Sequence, residues 1–253
     1  GELTYGNMVT ITDEVTQTDL ANTYSLTDGL LETSARRVTQ YVYNGDYGSN
    51  KVKFGAYYGG SSKRNIKNVD LKNNRKNTWG TGLIFNHEID SIQNVTVAAG
   101  FTRQISENAN KTAYYSNAYA LGLAYNFVHT TYGLDLAHKD TKNKGGAGNK
   151  VKNNEVTAVI RQGLNEDWNV YAMYSYKTEK TLPAGSAYSK STDRQFLVGT
   201  EYYVFKQGSV KVKPFIEWQA TRTKYENTFD KDSGKQLDRS RDFKTVIGLR
   251  AYW

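Results

Sequence analysis

Along most of the chain, apolar and polar residues alternate one by one. Val52, Phe54, Ala56 and Tyr58 are interleaved with Lys51, Lys53, Gly55 and Tyr57. Trp168, Val170, Ala172, Tyr174 and Tyr176 are interleaved with Asn169, Tyr171, Met173, Ser175 and Lys177. Val210, Val212, Ile216 and Trp218 are interleaved with Lys211, Lys213, Phe215 and Glu217. Successive strand side chains point to opposite faces, so each segment has one apolar and one mixed face. A helical reading fails, because positions i, i+3 and i+4 mix apolar and charged residues throughout. The alternation predicts about twelve strands. They run near 2–12, 30–43, 51–60, 77–88, 92–105, 112–127, 130–140, 153–164, 168–180, 192–206, 208–223 and 240–253.

The connections fall into two kinds. Asn44–Asn50, Glu88–Ser91, Val128–Thr130, Asn165–Asp167 and Lys206–Gly208 are short. Asp13–Gly29, Ser61–Lys76, Ser106–Lys111, Thr141–Lys152, Thr181–Ser191 and Lys224–Arg239 are longer, and most are rich in Lys, Asn, Asp, Ser and Gly. Short periplasmic turns alternating with longer extracellular loops are the outer-membrane arrangement, and a soluble sandwich has no reason to sort its loops this way. The expected fold is therefore all-β: one transmembrane antiparallel β-barrel over residues 1–253, both termini at the periplasmic rim. Aromatics support it. Tyr41, Tyr43, Tyr125, Phe127, Tyr132, Trp168, Tyr202 and Trp253 lie near the short-turn ends, and Trp79, Tyr115, Tyr176 and Trp218 toward the long-loop ends. Two such girdles match the two headgroup levels of a bilayer. The last segment puts Phe243, Thr245, Ile247, Leu249, Ala251 and Trp253 on one face; its terminal aromatic resembles the assembly signal of outer-membrane barrels.

Composition removes the competing classes. Mean hydropathy is −0.69, and no apolar run approaches the ~20 residues of a membrane-spanning helix. A barrel hides its lipid face in every second residue, so low hydropathy does not argue against it. Cys is absent, which removes disulfides and thiolate metal sites. Gly1–Tyr5 already reads as strand, so an exported chain is expected in the outer membrane with its leader removed. The formal net charge of +8 suits an anionic surface or solute.

With the aromatic face toward lipid, the opposite face lines the interior. It carries Arg36, Lys53, Lys139, Arg161, Lys177, Lys211, Lys213, Lys244 and Arg250 against Asp135, Glu201 and Glu217. The consecutive Arg36 and Arg37 make the second strand ambiguous; sharing a face with Gln40 turns Arg36 inward unless a bulge reverses it. An excess of one sign in a narrow tube concentrates the opposite ion, and Arg/Lys linings are what anion-conducting pores use; the alternative is a plugged or charge-balanced interior, in which these bases pair with Asp135, Glu201 and Glu217 or with loop acids such as Asp70 and Asp232. Gly55, Gly100, Gly122, Gly199 and Gly248 on the same face are expected to leave room for a small solute.

Catalytic constellations are not assembled. His87 and His129 fall at short turns, and no Ser accompanies His138; Asp140, Glu179 and Asp193 are scattered. No enzymatic step, cofactor or metal is expected. Lys144–Lys150 is Gly-rich but lacks the phosphate-loop spacing. The basic run Lys63–Lys76 reads as a solvated loop meeting lipopolysaccharide or funnelling anions; no nucleic-acid motif accompanies it.

In length, strand number, Tyr, Lys and Asn content and basic inner wall, the whole chain resembles the small monomeric porins of the oligogalacturonate and sialic-acid channel type. That resemblance implies a monomer with inward basic tracks for acidic sugars: Arg36, Lys53, Lys211, Lys213, Lys244 and Arg250 on one wall, Arg161 and Lys177 on the other. This wall uses more Lys than those tracks, and Lys binds carboxylates less directionally than Arg. The expected function is a passive channel for small hydrophilic solutes that prefers anions, acidic sugars or oligosaccharides among them. Three alternatives remain. One is a barrel acting through its loops as adhesin or receptor, and another is a barrel enzyme. The third is a translocator barrel, which needs a helix threading the pore where Gly1–Thr12 reads as strand.

Overall fold

The structure is a computed structural model that describes residues 1–27, 29–62, 74–108, 111–143, 149–183, 188–228 and 235–253. The alternating segments form strands β1 (Glu2–Val9), β2 (Ser34–Tyr47), β3 (Asn50–Gly59), β4 (Asn74–Asp90), β5 (Gln93–Asn108), β6 (Lys111–Phe127) and β7 (Thr130–Asn143). They continue as β8 (Lys150–Gly163), β9 (Trp168–Leu182), β10 (Tyr188–Tyr202), the short β11 (Phe205–Gln207), β12 (Val210–Thr228) and β13 (Lys235–Tyr252). Each long strand pairs antiparallel with the next, and β11 only extends the β10–β12 turn along β12. Twelve of these thirteen strands therefore cross the wall, as the alternation predicts. Among the described residues, β1 pairs only with β2 and β13 only with β12.

The two faces divide as the period of two requires. Phe54, Tyr58, Leu83, Leu121, Leu136, Ile160, Phe196, Ile216 and Ile247 are exposed on the outside. Large apolar groups in that position need lipid, not water, around them. Aromatic rows bracket this band. Trp79, Phe101 and Tyr119 make tilted ring contacts across β4–β6 with centroids 4.9 and 5.0 Å apart, and Trp218 meets Phe243 at 6.1 Å. Toward the short turns, Tyr125 meets Tyr132 at 6.2 Å. The fold is thus an outer-membrane β-barrel.

Several boundaries differ from the alternation. The first strand ends at Val9 rather than 12, and the second starts at Ser34 rather than 30. Strands β8, β10 and β13 begin earlier than expected, at Lys150, Tyr188 and Lys235, because ladder pairing continues through polar residues above the membrane. In β2 the register slips between Met8↔Ala35 and Gly6↔Val38, with Arg37 at φ 51°. This bulge lets both Ala35 and Val38 face inward although an odd number of positions separates them.

The largest departure is the connection from β1 to β2. The described residues among 10–33 do not form a surface loop. A short 3-10 helix, η1 (Ile11–Val15), and the chain after it lie inside the barrel, where Ile11, Val15, Leu26 and Leu31 are buried. Ile11 packs with Val38, Val42 and Tyr57 of β2 and β3, and Leu26 with Val159, Tyr171, Met173 and Leu197 of β8–β10.

Candidate functional site in the barrel lumen

The inward segment occupies its place because the wall is hollowed to receive it. A Cβ on Gly55 would lie 3.1 Å from Ile11, and one on Gly100 would lie 2.8 Å from Leu31. Gly122 sits under the Val15 carbonyl, while Gly199 and Gly248 sit under the rings of Tyr171 and Phe215. The inner glycines expected to leave room for a solute therefore seat the segment and two rings instead.

Wall side chains satisfy the segment's backbone. Gln40 accepts the amide of Ile11 at 2.7 Å. The Asp135 carboxylate accepts the amides of Gln17 and Thr18, each at 2.9 Å, and the Thr18 hydroxyl at 2.5 Å. Glu217, fully buried, accepts the amides of Asn22, Thr23 and Tyr24, the last two at 3.0 Å, and the Tyr171 hydroxyl at 2.7 Å. The Asn22 side-chain amide donates to Glu201 at 2.8 Å. Arg250 donates to the Asn22 carbonyl. A buried amide without an acceptor is costly, so these contacts hold the segment across the lumen. All three predicted inner acids face inward, and each binds this segment.

The predicted inner bases are mostly spoken for. Arg161 pairs with Glu201, whose other oxygen receives Lys213 at 2.6 Å. Lys53 pairs with Glu14 of the segment, Lys139 approaches Glu32 at 3.9 Å, and Lys244 pairs with Asp242 at 3.0 Å. Lys177 stands in register between Glu155 and Asp193. Lys211, exposed, faces Tyr252 and Lys206 near the short-turn rim. Most of the inner bases thus meet acids, as in the charge-balanced alternative, while Arg36, Lys211 and Arg250 have no ion-pair partner among the described residues. The residues missed were Glu14, Glu32, Glu155 and Asp242. One signal was available: residues 1–35 contain no Lys or Arg, and the connection carries Asp13, Glu14, Asp19, Asp28 and Glu32 among Val15, Leu20, Leu26, Leu30 and Leu31. An acidic, apolar-dotted connection in a basic barrel is suited to the inside.

Between the segment and the long-loop rim lies a cavity of about 580 Å³. Asp13, Asp19 and Glu32 line it from the segment, and Arg36, Arg75 and Lys139 from the wall. Arg36 thus faces inward despite the bulge. Arg75 donates to the carbonyl of Gly60 at 2.9 Å and to that of Arg36. Arg36, Arg75, Asp13 and Asp19 have no ion-pair partner among the described residues. The basic run from Lys63 and the Gly-rich stretch from Lys144 lie largely outside the described residues. His138 is on the outer face, with Asn154 at 2.8 Å and Asp140 at 3.2 Å from its two ring nitrogens.

Comparison with solved structures finds the same barrel. The in-vitro folded OmpT, an outer membrane protein of Vibrio cholerae, superposes with a TM-score of 0.65 at 16% identity, covering 99% of this chain and 76% of that one. Its trimer form gives 0.65 at 14% identity, with the same 99% and 76% coverage. A form lacking loop L8 gives 0.61 at 16% identity, covering 99% and 75%. No curated protein matches the sequence. The expectation of a chain with no enzymatic step is corrected at this point. The structural relatives carry the name OmpT, and identities of 14–16% convey the fold alone, so the exclusion of catalysis is withdrawn. Of the expected kinship with small outer-membrane porins, the findings support the broader part. Residues 1–224 match the model of the Gram-negative porins, a barrel with polar lumen and lipid-facing aromatic rows is what such a protein requires, and the chain belongs to that family of the outer membrane.

Proposed function

We propose that this porin is a passive diffusion channel for small hydrophilic solutes, narrowed by the inward segment and filtered in the cavity above it. The observation that carries this reading is the opposition of Asp13 and Asp19 on the segment to Arg36 and Arg75 on the wall, around about 580 Å³ of space. In a low-dielectric enclosure such opposed charges set a transverse field, which orients dipolar solutes and discriminates by charge. The preference for anions is small, because acids face the two unpaired guanidiniums. A carboxylate-bearing sugar suits the site through those guanidiniums, which match a carboxylate bidentately.

Planar-bilayer recording across a KCl gradient tests this. The expected result is an open pore whose reversal potential shows a slight chloride preference. Asp13→Asn with Asp19→Asn should enlarge that preference, and Arg36→Glu should reverse it. Folded protein that does not conduct sinks the channel reading; conduction with a potential unmoved by all three substitutions sinks the assignment of the filter.

A further inference from the structure

We infer that the outer face of β10, β12 and β13 holds a binding site for a phosphorylated glycolipid of the outer leaflet. The ladder places Arg222 directly opposite Arg194 on one side and Arg241 on the other. Two residues nearer the loops, Lys224 stands opposite Arg239. All share the parity of Phe196, Ile216, Trp218 and Phe243, so they project outward, and Arg194, Arg222, Arg239 and Arg241 are exposed. Like charges directly opposite one another on one face repel. The protein supplies little relief. Lys224 pairs with Glu226 at 2.5 Å. Arg194 stacks over Tyr176 at 5.9 Å. Among the described residues, none of the four arginines has an ion-pair partner.

The arginine row has a shape as well as a charge. It shares one recess of about 210 Å³ with Thr192, Lys224 and Arg239. A second, of about 190 Å³, lies against Tyr174, Phe196, Ala220 and Phe243, with Arg194, Arg222 and Arg241 along its rim. Phe196, Ala220 and Phe243 are the next outward row below the arginines, two residues or about 7 Å nearer the membrane centre. The site is thus cationic above and apolar below, at the height where the aromatic row meets the outer headgroups. Guanidiniums bind phosphate in bidentate fashion, and acyl chains suit the floor. A free anion would have no use for that floor. An outer-leaflet glycolipid carrying phosphates on its sugar and chains beneath it fills both parts.

Native mass spectrometry of delipidated, refolded protein tests this, with Kdo2-lipid A as the probe. The expected result is a bound lipid whose affinity falls at least tenfold in Arg222→Gln/Arg241→Gln, recovers only in part in Arg222→Lys/Arg241→Lys, which keeps the charge but not the bidentate fork, and does not change in Arg103→Gln, an outward arginine on β5. Enzymatically dephosphorylated lipid should bind at least tenfold more weakly, and millimolar inorganic phosphate should not compete. Equal binding by the Gln double variant, or by the dephosphorylated lipid, overturns the site. Displacement by inorganic phosphate overturns the lipid assignment in favour of a free anion. Bilayer conductance of the double variant, whose changes lie outside the lumen, should match the unaltered protein, which reports folding and keeps this test separate from the channel reading.

Discussion

Glu217→Ala removes the acceptor that holds the tip of the inward segment. Three backbone amides, those of Asn22, Thr23 and Tyr24, and the Tyr171 hydroxyl converge on this one carboxylate. Hydrogen bonds to a charged acceptor contribute roughly 1.5–3 kcal/mol each when the unpaired donor stays buried. If water replaces the lost acceptor, each amide loses only the net worth of an ordinary hydrogen bond, about 1 kcal/mol. Three amides then lose about 3 kcal/mol, a factor of roughly 150 in the equilibrium between docked and released tip. Hydrogen exchange reads this locally. Protection of Asn22, Thr23 and Tyr24 should fall by about two orders of magnitude, while Gln17 and Thr18, held by Asp135 on another strand, should keep theirs. Single-channel current should acquire flicker as the tip leaves the lumen. Unchanged protection at residues 22–24 would falsify the claim that Glu217 anchors the segment, whatever the current does.

Further consequences follow from the same geometry. Asp135→Ala should produce the complementary pattern, releasing Gln17 and Thr18 while sparing the tip, again by hydrogen exchange. Gly82→Leu puts bulk against the Ile11 backbone, 3.1 Å from the position of a Cβ; thermal unfolding should show lower stability and conductance a raised open level. Lys213→Met leaves the buried Glu201 with Arg161 as its one cation among the described residues and should cost about 2 kcal/mol, read as a lowered urea midpoint on folding into vesicles. Val198→Arg places a charge on the lipid face between the aromatic rows and should cost about 2 kcal/mol or more in the same assay.

The barrel was legible because it rests on a local rule. Alternation such as Val52, Phe54, Ala56 and Tyr58 reports a face directly, and the sorting of turns reports the topology. Strand ends above the membrane were less legible, because the backbone ladder there runs through polar residues such as Lys150 and Asn153 and needs no apolar pattern. The parity of Asp135, Glu201, Glu217, Lys213 and Arg161 was also readable, since inward and outward differ by one position. Their partners were not. Counting the wall's own acids omitted Glu14 and Glu32, which arrive from a connection 24 residues long between β1 and β2. The alternation carries no information about where such a connection lies. Its lack of Lys and Arg marked it as different from the other long loops, and its Leu residues marked it as needing cover.

The way this segment is fastened has a consequence for how the channel can change. The wall grips mainly peptide groups: Gln40, Asp135 and Glu217 hold amides of Ile11, Gln17, Thr18, Asn22, Thr23 and Tyr24. Every residue type except proline offers the same amide, so this fastening is indifferent to most of the side chains it carries. Asp13, Thr16 and Asp19, which border the cavity, are therefore free to be exchanged while the mount stays intact. Attachment and selectivity are written in different residues of one segment, and a lineage could revise what the pore admits without first solving the fold again.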